Sequence, residues 1–344
     1  MDMSLDQSTP LKRFWRTWRR EIVRGGVLFG LVVGTGLIIR SIKVNVPTPW
    51  GVLGSFGDFD WGEGGADLFG RNREVGDAWE FRSAVKPSQH VWIRNTNGPI
   101  EVVAGSGDTL EVHAEKSWRN SSPSSVEVVA VPSERGVTIC ALWEARERRC
   151  GDGGDYRLHG VRKNDVAVRF TVHLPRGVPI DASTVNGPLE IEGVSAPVEA
   201  TTVNGRILVN TAMGPIKATT VNGSIEAIMQ ALSGGDVNLT TVNGSVTAAL
   251  PPNLNATLNA QTVNGRVDTD FPVKITGKVS TRHLRGTIGD GGGPTLKLAT
   301  VNGSISIREA SPDGPMHRVK APVAPRPPRT PRAQRAPQGA PPQP

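Results

Sequence analysis

Few residues in this sequence could do chemistry. His283 and Arg285 stand together in Thr281–Gly286 (TRHLRG), with Asp268 and Asp270 shortly before them. A His, an Arg and a carboxylate could bind an anion or act on a sugar, as β-helical polysaccharide-cleaving enzymes do with acids and bases converging from neighbouring coils. The opposing reading is a drifted repeat, in which Arg285 caps a ladder of asparagines and His283 is solvated. Gly151–Asp155 (GDGGD) and Gly289–Gly293 (GDGGG) are acidic glycine turns. Neither supplies enough oxygens to hold calcium, and the tandem nonapeptides of calcium-binding β-rolls are missing. Cys140 and Cys150 flank a charged stretch, ALWEARERR. They fit either a disulfide in an oxidising compartment or two free thiols. With His159 or His173 they would make a poor zinc set, because no CxxC pairing exists. No cofactor or metal is expected.

Those residues must be positioned by a repeat. Asn-Gly recurs at Asn97–Gly98, Asn186–Gly187, Asn204–Gly205, Asn222–Gly223, Asn243–Gly244, Asn264–Gly265 and Asn302–Gly303, in most units as Thr-Val-Asn-Gly. With Arg285 placed in an Asn slot, the last six intervals are 18, 18, 21, 21, 21 and 17 residues. A period near 20 is the signature of a solenoid. Six and four residues before each Asn stand small aliphatics such as Val198 and Ala200; two and four after each Gly stand pairs such as Ile207 and Val209. Each unit therefore holds two short strands with period-2 alternation, and the inward parity changes at Asn-Gly, so the chain turns there. Asn-Gly accepts the positive φ angles of such a corner. An antiparallel meander with Asn-Gly hairpins is the rival architecture. Near-identity from unit to unit favours a parallel β-solenoid, because stacking like on like lets asparagines ladder between coils. Seven coils at one strand spacing each would make a rod of about 30 Å. The elements expected before Asn186 are a solenoid start near Trp79, strands over 126–131, 137–142 and 166–174, and an interrupting loop over 146–163.

The ends differ from the middle. Residues 25–43 open with an uncharged apolar run, GGVLFGLVVGTGLII, preceded by a basic cluster (residues 1–24) with Trp15 and Trp18. This predicts one transmembrane signal-anchor helix with the N-terminus inside and the rest outside. The next residues, RSIKV, offer no small-x-small cleavage site. Residues 44–78 are Gly-rich and aperiodic, a linker. Residues 79–310 form the solenoid, and 311–344, rich in Pro and Arg, a disordered tail. The net charge of +7 is concentrated in the two tails, and no recognition motif accompanies it, so no nucleic-acid partner is expected.

The chain resembles the bacterial putative-adhesin family, domains of unknown function with TVNG-type repeats. The resemblance rests on Val172–Gly177 (VHLPRG), the TVNG run, and Trp92–Gly98 (WIRNTNG), and spans roughly residues 79–307. It implies a right-handed β-solenoid in envelope-associated proteins, sometimes near stress-response regulators. It offers no catalytic residues.

The expectation is an all-β, right-handed parallel β-solenoid with two short strands per 18–21-residue coil, following one membrane helix. Its function would be a non-enzymatic, extracytoplasmic binding or scaffold surface, single-pass in the membrane. Envelope polymers, glycans or another envelope protein are the expected partners. An envelope-stress sensor is one alternative. A carbohydrate-active enzyme built on Asp268, His283 and Arg285 is another.

Overall fold

The computed structural model describes residues 73–310, apart from 162, 233, 234 and 277–279. The segments 1–24, 25–43 and 311–344, and most of 44–78, lie outside these residues, so the membrane helix and the tail do too. Among the described residues no helix is long and apolar enough to cross a membrane.

The repeat builds two sheets, one on each side of the Asn-Gly corners. Strands that precede a corner stack in an 11-stranded leading sheet, and strands that follow it stack in a 10-stranded trailing sheet. The Asn204 coil, for example, pairs Val198–Thr201 and Ile207–Thr211 with the same strands of the coils before and after, in parallel, with one register shift between Glu192 and Val194 of the preceding coil. A solenoid is thus formed, and the hairpin meander is not. Register holds because the side-chain period is two: a slip of one residue would turn Val198, Ala200, Ile207 and Val209 outward. All four are buried. The core between the sheets is narrow, which is why alanine recurs in it at 182, 200, 218, 227, 248 and 260.

Two departures from the expected linear stack matter. At the far end the spatial order of corners is Asn222, Asn243, Asn302, Asn264. The last coil in sequence, Thr295–Asn302 with Ile305–Glu309, slides between the Asn243 and Asn264 coils. The stretch expected to form a degenerate coil does not do so. His283–Ile288 instead runs antiparallel along Ala256–Asn264 and pairs on its other side with Val273–Ile275. The physical reason is the corner. Without Asn-Gly this stretch cannot join the ladder, whereas Asn302–Gly303 can, so the hairpin goes to the sheet edge.

At the near end the first corner strand is His90–Arg94. Glu74–Ala84 is an antiparallel edge strand, so ordered structure begins inside the segment expected to be linker. Gly136–Trp143 and Ala167–Leu174 lie parallel to the two strands of the Asn97 coil, like one further coil. Its corner is replaced by residues 144–166, which carry the hairpin Glu147–Cys150 and Tyr156–His159. Antiparallel Thr109–Trp118 and Val126–Ser133 continue the sheets outward from this coil.

Candidate functional site

The corners are built from three interlocked contacts. Five corner asparagines donate from Nδ2 to the Oδ1 of a neighbour: Asn204 to Asn186 at 2.9 Å, then Asn222 to Asn204, Asn243 to Asn222, Asn302 to Asn243 and Asn264 to Asn302, each at 2.8 Å. The Thr two residues earlier points inward and donates to the glycine carbonyl of the adjoining coil, as Thr220 does to Gly205 at 3.0 Å and Thr300 to Gly244 at 2.8 Å. That role was missed in the sequence, where Thr reads only as a strand residue. In the Asn97 coil, Asn95 takes the Thr slot and its Nδ2 reaches both Val168 O and Gly98 O.

The glycines are required chiefly by close approach. A Cβ on Gly223 would lie 2.0 Å from the carbonyl oxygen of Gly205, and one on Gly244 2.0 Å from that of Gly223. The positive φ expected from sequence is present at Gly223 (158°) but lies at the border of the extended region, so the carbonyl contact decides. At the near end the side-chain ladder stops. Asn97 donates to Val166 O at 3.0 Å and its Oδ1 has no partner.

The residues singled out for chemistry do not assemble. Asp268 is exposed on the trailing sheet, in register with Ser306. His283 and Arg285 are exposed on the leading sheet, opposite Gln261 and Asn259. The sugar-cleaving arrangement therefore lacks its carboxylate. Among the described residues no three His, Cys, Asp or Glu side chains are grouped to hold a metal. The Asp152 carboxylate of the first acidic turn is held by Arg135 at 2.6 Å and Ser133 at 2.5 Å, and Lys274 lies 3.7 Å from Asp290 of the second.

What the stack does present is two outer faces. On the leading sheet the slot five residues before each corner Asn holds, in spatial order, Trp92, Asp181, Glu199, Lys217, Asn238, Lys297 and Asn259. On the trailing sheet the slot three residues after each corner Gly holds Glu101, Glu190, Leu208, Glu226, Thr247, Ser306 and Asp268. Asp181 is not a free carboxylate: it receives two hydrogen bonds from the buried Arg94 guanidinium, at 2.7 and 2.6 Å.

Residues 153–308 match the family model Toastrack DUF4097. Among solved structures, a "putative cell adhesion protein" from Clostridium sporogenes aligns over 68% of this chain and 100% of that one, at 11% identity and a TM-score of 0.35. A "putative adhesin" from Bacteroides fragilis covers 68% and 97%, at 11% identity and a TM-score of 0.28. Another from Parabacteroides merdae covers 69% and 97%, at 12% and 0.24. No curated protein matches.

The Toastrack match takes in the corners from Asn186 to Asn302 and starts beyond the Asn97 coil and the cysteines. That preceding end is tied down by its own devices. Cys140 and Cys150 are joined in a disulfide across a Cα–Cα distance of 6.0 Å, fixing the hairpin at the interrupted corner to the strand Gly136–Trp143. Tyr156 donates to Ala141 O at 2.8 Å and meets Thr96 Oγ1 at 2.9 Å; burial pushes its hydroxyl pKa above the usual value. Burial also pushes the Asp165 carboxyl up. The Ser121 side chain and the backbone N–H groups of Asn120, Ser121 and Arg119 outweigh it and hold the pKa at about 2.

Proposed function

We propose that this protein is a membrane-anchored, extracytoplasmic scaffold whose Toastrack solenoid offers its outer faces as a binding surface and performs no catalysis. The observation that carries this reading is the dispersal of Asp268 from His283 and Arg285 onto opposite sheets, set beside long, in-register outer rows. A catalytic set needs groups converging within hydrogen-bond reach of one substrate atom. A binding face needs only rigid spacing, and parallel coils locked at their corners supply it. The apolar run in residues 25–43, its basic flank and the Cys140–Cys150 disulfide support an anchored protein facing an oxidising space.

The test is site-directed photo-crosslinking in cells expressing the full chain. A photoreactive residue replaces Glu190 on one face or Lys297 on the other. A discrete adduct from at least one face, in the carbonate-resistant membrane fraction, is expected. No adduct from any outer-face position, or a chain that partitions as soluble, overturns the proposal.

A further inference from the structure

The intercalated coil has a consequence for the leading face. By inserting between the Asn243 and Asn264 coils, it places Lys297 between Asn238 and Asn259. The antiparallel hairpin then adds Arg285 in register with Asn259. The row reads Lys217, Asn238, Lys297, Asn259, Arg285 across five neighbouring strands. Cations recur at every second strand, about 10 Å apart, with an asparagine between. Lys217 is held by Glu199 at 2.5 Å. Lys297 and Arg285 are exposed and have no ion-pair partner among the described residues. The flanking row, Thr240, Ala299, Gln261 and His283, bears no carboxylate. The opposite flank carries Thr295, Thr257, Thr287 and Lys274, the last 3.7 Å from Asp290, and one carboxylate, Asp236, which accepts from Thr295 N at 2.9 Å. Asn259 lies between the two cations, its Oδ1 buried and without a hydrogen-bond partner, so only its Nδ2 is left for a ligand.

We infer that this strip binds a linear acidic polysaccharide in which carboxylate-bearing sugars alternate with neutral ones. The inference rests on the outer faces being binding surfaces, and it names the ligand class for one of them. An extended glycan advances by roughly one strand spacing per sugar, so a charge on every second sugar falls in step with Lys217, Lys297 and Arg285. The neutral sugars then lie over Asn238 and Asn259, whose amides, with Gln261 and Thr240, hydrogen-bond hydroxyl groups. Arg285 can grip a carboxylate with two parallel N–H bonds. Nucleic acid fits less well. Its phosphates recur along a strand more closely than the cations of the strip, and no Phe, Tyr or Trp lies in the rows of the strip for bases to stack on. A lipid surface would find no apolar wedge in these rows.

The test uses the full-length chain on immobilised hyaluronate, in which glucuronate alternates with N-acetylglucosamine, at low salt. Amylose, single-stranded DNA and phosphatidylglycerol vesicles form the other arms. Hyaluronate should bind in a salt-sensitive manner. Lys297→Gln and Arg285→Gln should each weaken binding about tenfold, with thermal unfolding unchanged, and Glu226→Gln on the trailing face should leave it unaltered. The inference is overturned by absent hyaluronate binding, or by binding undiminished in the double variant. Equal binding to amylose, or tighter binding to DNA or vesicles lost with the same substitutions, would also overturn it. Photo-crosslinking separates the two levels: adducts on an outer face without hyaluronate binding remove only this ligand, while no adducts remove the binding-surface reading as well.

Discussion

On the trailing sheet the outer slot of the repeat holds Glu101, Glu190, Glu226 and Asp268; on the leading sheet the far half of the corresponding row holds Lys217, Lys297 and Arg285. The two rows meet on the Asn222 coil, which carries Lys217 and Glu226, each one residue from buried side chains. Ile216 and Ala218 flank Lys217, and Ile225 and Ala227 flank Glu226. Packing constrains the inner slots, where one methylene too many has nowhere to go. It leaves the outer slots free. Opposite charges on two faces of one repeat are therefore information that the fold does not need.

Breaking the comparison outright takes a change that both faces share. Gly223→Val should do so, since its Cβ would sit 2.0 Å from the Gly205 carbonyl. Adjoining coils must then separate, at a cost above about 4 kcal/mol. Denaturant unfolding should find the variant unfolded or at a much lower midpoint. An unchanged midpoint would refute the close-packed corner.

A smaller effect should come from the interrupted end. Asp165→Asn removes the charge that the N–H groups of Arg119, Asn120 and Ser121 bind at 2.8–3.0 Å. For this partly exposed group the loss at neutral pH should be about 1–2 kcal/mol. Its pKa is depressed in the folded state, so its stabilisation is present above the unfolded value of about 3.9. It is lost as pH falls through about 2. Wild type and variant should converge in acid. A difference independent of pH would place the effect elsewhere.

Much of this was legible in the sequence, for a definite reason. The Asn-Gly ruler and the aliphatic alternation located the strands and their inward residues, because a narrow parallel stack gives each slot one environment. The spatial order of the last coils was not legible. Nothing local in Thr295–Glu309 says that it pairs with Val237–Leu250 before Ala256–Thr269; that choice is made by long-range ladders. Reading Arg285 as an Asn slot hid the hairpin, and with it the row of cations. Listing the residue five before each Asn would have found Lys217 and Lys297 but not their spacing. The buried Arg94 with Asp181 was hidden too, since its enclosure depends on Gly154 of the folded-back loop.

Thr220→Val sharpens the corner more gently. It keeps the shape and deletes the hydroxyl that donates to Gly205 O at 3.0 Å. About 1 kcal/mol should be lost, because a buried carbonyl forfeits one partner while keeping its surroundings. Hydrogen exchange should quicken at that corner first. Equal protection across all coils would show that the asparagine ladder alone holds them.

The smallest change in stability should accompany the largest change in the faces. Lys297→Glu and Glu226→Lys exchange charge between the sheets at exposed positions without ion-pair partners among the described residues. Each should shift stability by no more than about 0.5 kcal/mol. Lys297→Glu leaves Arg285 as the one unpaired cation of its row, facing a new carboxylate two strands away. Glu226→Lys instead lays a cation on the trailing face, between Leu208 and Thr247, with no asparagine beside it. If charge alone governs polyanion binding, the double exchange should restore what Lys297→Glu removes. If the alternation of cation and asparagine matters, it should not. Measuring hyaluronate binding for the two single exchanges and the double one distinguishes a net potential from a spaced row, and the spaced row predicts no rescue.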